Sequence, residues 1–547
     1  MHPLVSALRA TDLRNPSPTA VDRILRAANQ GGATPAERQR LADVERRYAG
    51  GWSGATRDAW QRGVARMTPG PTMRVRPSFG PEAEDLSSRM KTVWMPGFSD
   101  PIQAVYTASM ARLGAELGFH LVASAPPSVP MASIAGYLTR ATGLPVERLD
   151  QVVDVVREDE YSSVWGEDRH ILTNATGMDP VKVLVPPRIA DSTFNKAIAF
   201  TQDEGYHPYH PGFQGAVSDR NESVDARLTA RQLGREVVNT ASYIEGGNLL
   251  GGTTSDGKPY ALIGRDSLVV STFHLENAFD PRDVDATMRR MQQSGQLTQR
   301  DIDATAQKLA NVDRASSWWA PTSVTREHYA RAPEFLAKLE LTKQVIAHDM
   351  DLTPDRVAFV TQPEFHIDMH MRPLAPGEVM VQHPRVCIDL IDQALSEPGI
   401  QRWEAQELHA MRENATQELR SMGHVYDQIV QEVEDAGLLA IPSPGVFSGY
   451  RLANFMNAVP GTSDRDETYL LTNASTIKPL ERAFARFVKD LGVDRVEFIG
   501  GEGGGPQSLS ASEQSLELAG GLDCREVDHQ GERRPTNDLT AALRGWV

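Results

Sequence analysis

Four clusters of residues in this 547-residue chain have types and spacings that could do chemistry. His366 and Asp368 form an H-x-D pair. Read as strand residues two apart, they share one face, which brings an imidazole and a carboxylate together for acid–base work. In Glu245-Gly246-Gly247-Asn248, a carboxylate precedes glycines that let backbone approach a ligand closely. Trp165 and Asp168 stand three apart around Gly166. That spacing can place an aromatic plane and a carboxylate about one small flat cation, and a guanidinium is such a cation. The run Gly500 to Gly505 leads through Pro506 and Gln507 to Ser508, a serine placed after a strand and glycines as a nucleophile might be. The run lacks the Lys-Ser/Thr ending of a phosphate-binding loop and does not read G-x-S-x-G.

Each cluster also has an ordinary reading. The H-x-D pair fits an edge strand facing water, E-G-G-N a structural turn, W-x-x-D a buried tryptophan beside a helix-capping aspartate, and the glycine run a turn with incidental serines. His370 continues the face of His366 and Asp368. A His-Asp-His metal centre drawing on His207 and His210 is therefore an alternative, and it would make the chain a metal-dependent hydrolase.

The elements that must position these clusters read as repeated units of helix, short strand and polar strand end. Leu480, Phe484, Phe487, Val488 and Leu491 recur at helical spacing before a strand at Val496 to Ile499 and the glycine run. A helix at Glu327 to His348 and a strand at Arg356 to Thr361 lead to the H-x-D pair. Helices at Asp225 to Val238 and Val146 to Val156 precede E-G-G-N and W-x-x-D, and Val93 to Ser124 reads strand–helix–strand. Four or five such units predict an α/β fold with pseudo-symmetry around one central site. A doubly wound parallel sheet competes, although no dinucleotide fingerprint opens the first βα turn. Residues 1–81 read as an N-terminal helical or partly disordered extension, with helices at Val21 to Ala28 and Pro35 to Tyr48. Residues 82–547 read as the main domain, with helical insertions near 281–310 and 401–438 expected at the surface.

The formal net charge of −16 leaves few clustered cations for phosphate neutralisation, so a general nucleic-acid binder is not expected, whereas a cationic ligand is compatible. Hydrophobic residues at 40% and charged residues at 23% are ordinary for a folded globular chain. Two cysteines, Cys387 and Cys524, support neither a disulfide framework nor a Cys-rich zinc module. No apolar run approaches the roughly 18 residues that span a bilayer. The first residues lack a secretory pattern. The expected address is the cytoplasm, and delivery as an effector without a cleavable signal would leave the same sequence. No cofactor and no membrane partner are expected.

The order W-x-x-D, E-G-G-N, H-x-D and a C-terminal glycine-rich segment resembles the guanidino-group modifying, or pentein, superfamily. Its members include arginine, agmatine and protein-arginine deiminases and amidinotransferases. Ala261 to Leu268 resembles the strand that follows E-G-G-N/D in that family. Gly504-Gly505-Pro506-Gln507-Ser508-Leu509-Ser510 resembles the terminal G-G-P-R-C-M-S pattern of arginine deiminases. The likeness covers roughly Thr92 to Cys524. It implies a pentein-like α/β propeller of about five ββαβ units over residues 82–547. It also implies that Asp168 and Asp368 fork the guanidinium nitrogens, Glu245 adds negative charge, and His366 moves protons. Trp165, Asn248 and Gly505 complete the implied substrate-binding set, with no metal. Ser508 stands where the family's cysteine attacks the guanidinium carbon. An alcohol does not ionise as a thiol with a pKa of about 8.5 does. The resemblance therefore implies either a deiminase-like hydrolase with turnover far below a cysteine version, or an inactive pentein that binds arginine-bearing partners. Val269 to His274 carries no arginine where free-arginine deiminases hold the substrate carboxylate. That favours a small guanidine such as agmatine, or the arginine side chain of a protein.

Overall fold

The computed structural model describes residues 2–29, 33–67, 80–81, 83–87, 89–95, 97–98, 101–157, 171–173, 181–201, 222–317, 319–363, 366–445, 454–499, 524–527, 539 and 542. The fold is mixed α/β. Sixteen strands fall into five small sheets among the described residues.

One pairing pattern recurs in all five sheets. β7 (Leu249–Thr253) pairs antiparallel with β8 (Pro259–Gly264), and β8 pairs parallel with β9 (Val357–Val360). The same holds for β10 (Met371–Ala375), β11 (Glu378–Gln382) and β12 (Leu439–Ser443), and for β13 (Ala458–Thr462), β14 (Thr468–Asn473) and β15 (Arg495–Ile499). It holds again for β4 (Ile171–Leu172), β5 (Lys182–Val185) and β6 (Glu236–Asn239). The remaining sheet orders β16 (Cys524–Val527), β1 (Met90–Met95), β2 (His120–Ala125) and β3 (Val153–Arg157), so a strand near the C-terminus supplies the antiparallel partner of β1. Two local rules produce the pattern. The antiparallel pair closes over a tight turn, and Gly257 at φ +81°, Gly377 at φ +80° and Asp466 at φ +63° supply the left-handed conformation in three of these turns. The parallel pair needs a crossover, and helices fill it: 384–395 and 402–435 between β11 and β12, and 478–490 between β14 and β15. β8, β11, β12 and β14 are buried along their whole length, in keeping with apolar centres such as Ala261-Leu262-Ile263, Val379-Met380-Val381 and Tyr469-Leu470-Leu471. The first strands of different units touch one another: β7 against β10, β10 against β13, and β16 against β4.

Two helix expectations are corrected. The segment expected to be helical at 146–156 is helical only over Val146–Leu149, and 153–157 is β3, because Val-Asp-Val-Val is rich in β-branched residues that pack well on a pleated surface. The helix expected to run to Val238 stops at Gln232. Gly234 at φ +69° follows, and Glu236–Asn239 forms β6.

Four helices lie between residues 3 and 64: Pro3–Arg9, Pro18–Ala28, Pro35–Tyr48 and Gly54–Val64. Their starts carry strong local signals. Proline occupies the first turn of the first three, Ser17 and Ser53 cap two of them, and Thr34 forms a capping box with Glu37. Leu4, Leu8, Ile24, Leu41 and Trp60 share one core with Leu374, Leu390, Met411, Leu439 and Phe484. Arg40, itself buried, ties this region to the long helix Arg402–Asp435 through Glu434 at 2.6 Å. That long helix is not the surface elaboration expected. Leu408, Met411 and Ala415 enter the core just described, and Tyr426, Ile429 and Val433 enter another with β8 and β11. Its length had suggested an insertion, but a crossover helix must lay its apolar face on the sheet. Among the described residues no helix is long and apolar enough to cross a membrane.

Candidate active site

Glu245 lies between β6 and β7, at the head of a single 3-10 turn, Gly246–Asn248. The ordinary reading of E-G-G-N as a turn is therefore correct in form, and the turn also delivers a carboxylate. The Asn248 amide N–H donates to the Glu245 carbonyl at 3.0 Å. The Asn248 side chain donates to Ser267 Oγ at 2.9 Å. It lies against Gly264, where an added Cβ would sit 1.8 Å from Asn248 Oδ1. Gly264 closes β8 within the Ala261 to Leu268 segment, and its lack of a side chain makes room for the asparagine.

The Glu245 carboxylate is 2% exposed and held at both oxygens. Tyr243 Oη donates to Oε1 at 2.7 Å, and His366 Nε2 meets Oε2 at 2.8 Å. His366 is equally buried and 121 positions away in the chain. Two clusters that the sequence could only order along a line are thus in direct contact.

The H-x-D pair is not on a strand. His366 to His370 form the turn that enters β10, with the amide N–H groups of His370 and Met371 both donating to the Ile367 carbonyl at 2.9 Å. The two-residue spacing of His366 and Asp368 was read on a strand, but the backbone hydrogen bonds are spent inside the turn and on the neighbouring segment. The Asp368 N–H donates to the Gly247 carbonyl at 3.2 Å, so the H-x-D turn is joined to the E-G-G-N turn through backbone as well as through His366. Asp368 is fully buried, and its Oδ2 accepts from Asn457 Nδ2 at 2.6 Å. Glu245, Asn248, His366 and Asp368 are therefore brought together by two adjoining turns. Trp165, Asp168, Gly505 and Ser508 lie outside the described residues, as do His207 and His210.

His370 is fully buried. Burial pushes its pKa down to about 3, and its ring sits 6.5 Å from that of Tyr426. Among the described residues no three His, Cys, Asp or Glu side chains group as a metal site.

Sequence reasoning missed Tyr243, Ser267 and Asn457. Tyr243 carried a faint signal, standing two residues before Glu245. Asn457 carried none, because it comes from the loop before β13, a separate unit of the fold. Chemically, two buried carboxylates share this place with one imidazole. Glu245 can orient the His366 imidazole, and Asp368 supplies a second acidic group a turn away. No protein-family model matches the chain, and no curated protein sequence matches it.

Proposed function

We propose that the site binds a guanidinium group, and that the chain is a pentein of the deiminase type weakened or silenced by serine at the nucleophile position. The observation that carries this reading is the buried 2.8 Å contact of Glu245 with His366, with Asp368 held in the adjoining turn. Two buried carboxylates in adjoining turns suit a planar cation whose N–H groups donate a fork to each. The repetition of one strand–strand–helix–strand pattern through five sheets supports the propeller interpretation, as do the contacts between the first strands of different units.

In the reaction so implied, a nucleophile adds to the guanidinium carbon, ammonia leaves after protonation, and water hydrolyses the covalent adduct to the ureido product. His366 is the proton carrier and Asp368 the guanidinium anchor. Ser508 reaches the anionic state far less readily than a thiol, so binding outlasts turnover in this chain.

The test compares wild type with Ser508→Cys in a ureido-product assay over agmatine, free arginine and an arginine-containing peptide, with calorimetric binding of each. The expected outcome is binding by both proteins, with turnover restored or raised in Ser508→Cys on agmatine or the peptide. Absence of guanidine binding in both would dispose of the reading. Binding without turnover in either would favour the inactive, arginine-recognising form.

A further inference from the structure

We propose that Glu84 is a positioning residue of the candidate site: it holds β7 against β10, the two strands that the Glu245 and His366 turns enter. The proposal goes beyond the guanidinium reading and does not rest on it.

The candidate site is made by turns that come from separate sheets, so the strands behind those turns must be fixed against one another. Each turn leads into the first strand of its sheet. Gly246–Asn248 leads into β7, His366 to His370 into β10, and Asn454 to Asn457 into β13. The segment 81–89 crosses the same strands further along. Pro81 bridges Thr173, the residue after β4. The Glu84 N–H donates to the Gly251 carbonyl of β7 at 3.0 Å, and the Leu86 N–H donates to the Leu374 carbonyl of β10 at 2.9 Å. The Thr462 hydroxyl, at the end of β13, donates to the Leu86 carbonyl at 2.8 Å.

Within this strap, the Glu84 side chain reaches two strands at once. Its Oε1 accepts from the Gly251 N–H at 3.5 Å, and its Oε2 accepts from the Arg372 guanidinium at 2.5 Å. Gly251 is thus met by Glu84 at both its carbonyl and its amide. Arg372 is the second residue of β10 and is 1% exposed. Its Nε donates to the Met456 carbonyl at 3.4 Å, one residue before Asn457. The approaches of β7, β10 and β13 therefore meet at one carboxylate–guanidinium pair. Desolvation offsets much of the attraction in such a pair, so its net stabilisation is small. Its directed hydrogen bonds, in contrast, suit one arrangement of the strands.

Native-state hydrogen exchange on the full-length chain tests this, with the Asp368 amide as reporter. That N–H donates to the Gly247 carbonyl at 3.2 Å and joins the two site turns ahead of Arg372 and Gly251. Glu84→Gln keeps the shape of the side chain and removes its charge, and Arg372→Met removes the guanidinium. Each is expected to speed exchange at the Asp368 amide at least about tenfold, and the double variant no more than either alone, while the amides of β5 and β6 keep wild-type rates. Unchanged exchange at Asp368 would overturn the proposal. So would an equal rise in β5 and β6, which would mark the pair as a general determinant of stability. If Glu84→Gln does not fold, Glu84→Asp keeps the charge on a shorter arm and carries the same comparison. Agmatine binding is the second readout. It is expected to be weaker in Glu84→Gln by about tenfold or more, and affinity equal to wild type would overturn the positioning role. Should wild type bind no guanidine, the guanidinium reading falls, and exchange at Asp368 still decides for or against Glu84.

Discussion

At the scale of single residues, the Glu245–His366 contact is where stability and chemistry meet. Both groups are buried, so removing one partner strands the other's charge or polarity. His366→Ala is expected to cost about 3–5 kcal/mol of unfolding free energy, read from urea denaturation, because the carboxylate loses a partner away from water. Tyr243→Phe removes the hydrogen bond to Glu245 Oε1. It is expected to cost about 1–3 kcal/mol while keeping the cooperative transition and its slope. If His366→Ala proved no more costly than Tyr243→Phe, the pair would not be the centre of this network. The residue types were legible in the chain, since an H-x-D and an E-G-G-N stand out. Their geometry was not, because period-two reasoning assigned the H-x-D to a strand, whereas turn hydrogen bonds to Ile367 and Gly247 decide where His366 and Asp368 go.

At the scale of elements, the hinge of the site is the end of β8. Gly264 has an ordinary negative φ, so its role is space and not backbone freedom. Gly264→Ala is expected to displace the Asn248 amide and cost about 1–3 kcal/mol, with a lowered melting temperature as the readout. A variant as stable as wild type would mean that Asn248 can move without consequence. Long helices were legible here: 326–349 and 478–490 lie within a residue or two of where their apolar spacing put them. Short units were harder, because four to six residues of Val and Leu fit a buried helix turn or a buried strand equally well until pairing partners are known. The helix 402–435 shows the opposite limit, since a segment read as an insertion carries two separate buried stripes.

At the scale of the whole molecule, the N-terminal helices and the sheets are joined by buried acids. Thr34 caps the helix at 35–48 and donates its hydroxyl to Glu378 Oε1 at 2.6 Å, at the start of β11. Burial, reinforced by the nearby Glu37 and Asp85 carboxylates, pushes Glu378 up to about 7 against the pull of the Thr34 hydrogen bond. Glu37 is also raised by burial, and His2, 3.6 Å from it, is pushed down to about 4, so no charged imidazole offsets these acids near neutral pH. The sign follows from proton counting. Between the ordinary carboxylate value and about 7 the folded protein holds a proton that the unfolded chain has lost, so stability falls as pH rises through that window. Glu378→Gln mimics the protonated acid and can still accept from Thr34. It is expected to gain on the order of 3 kcal/mol over wild type at pH 8, with the gain vanishing near pH 4, in denaturation curves at the two pH values. Equal stability at pH 8 would show that this acid is not held neutral by the junction.

What the chain determined by itself is local and periodic: the helix starts marked by Pro, Ser and Thr, the turns that need glycine, the apolar runs of strands covered on both faces, and the acidic and imidazole residues worth watching. Only the tertiary structure decided which of those residues meet. A contact such as that of His366 with Glu245, or of Asp368 with Asn457, depends on how separate strand pairs pack against one another. That packing is set by the summed burial of many side chains, and it leaves no mark in the spacing of any one motif.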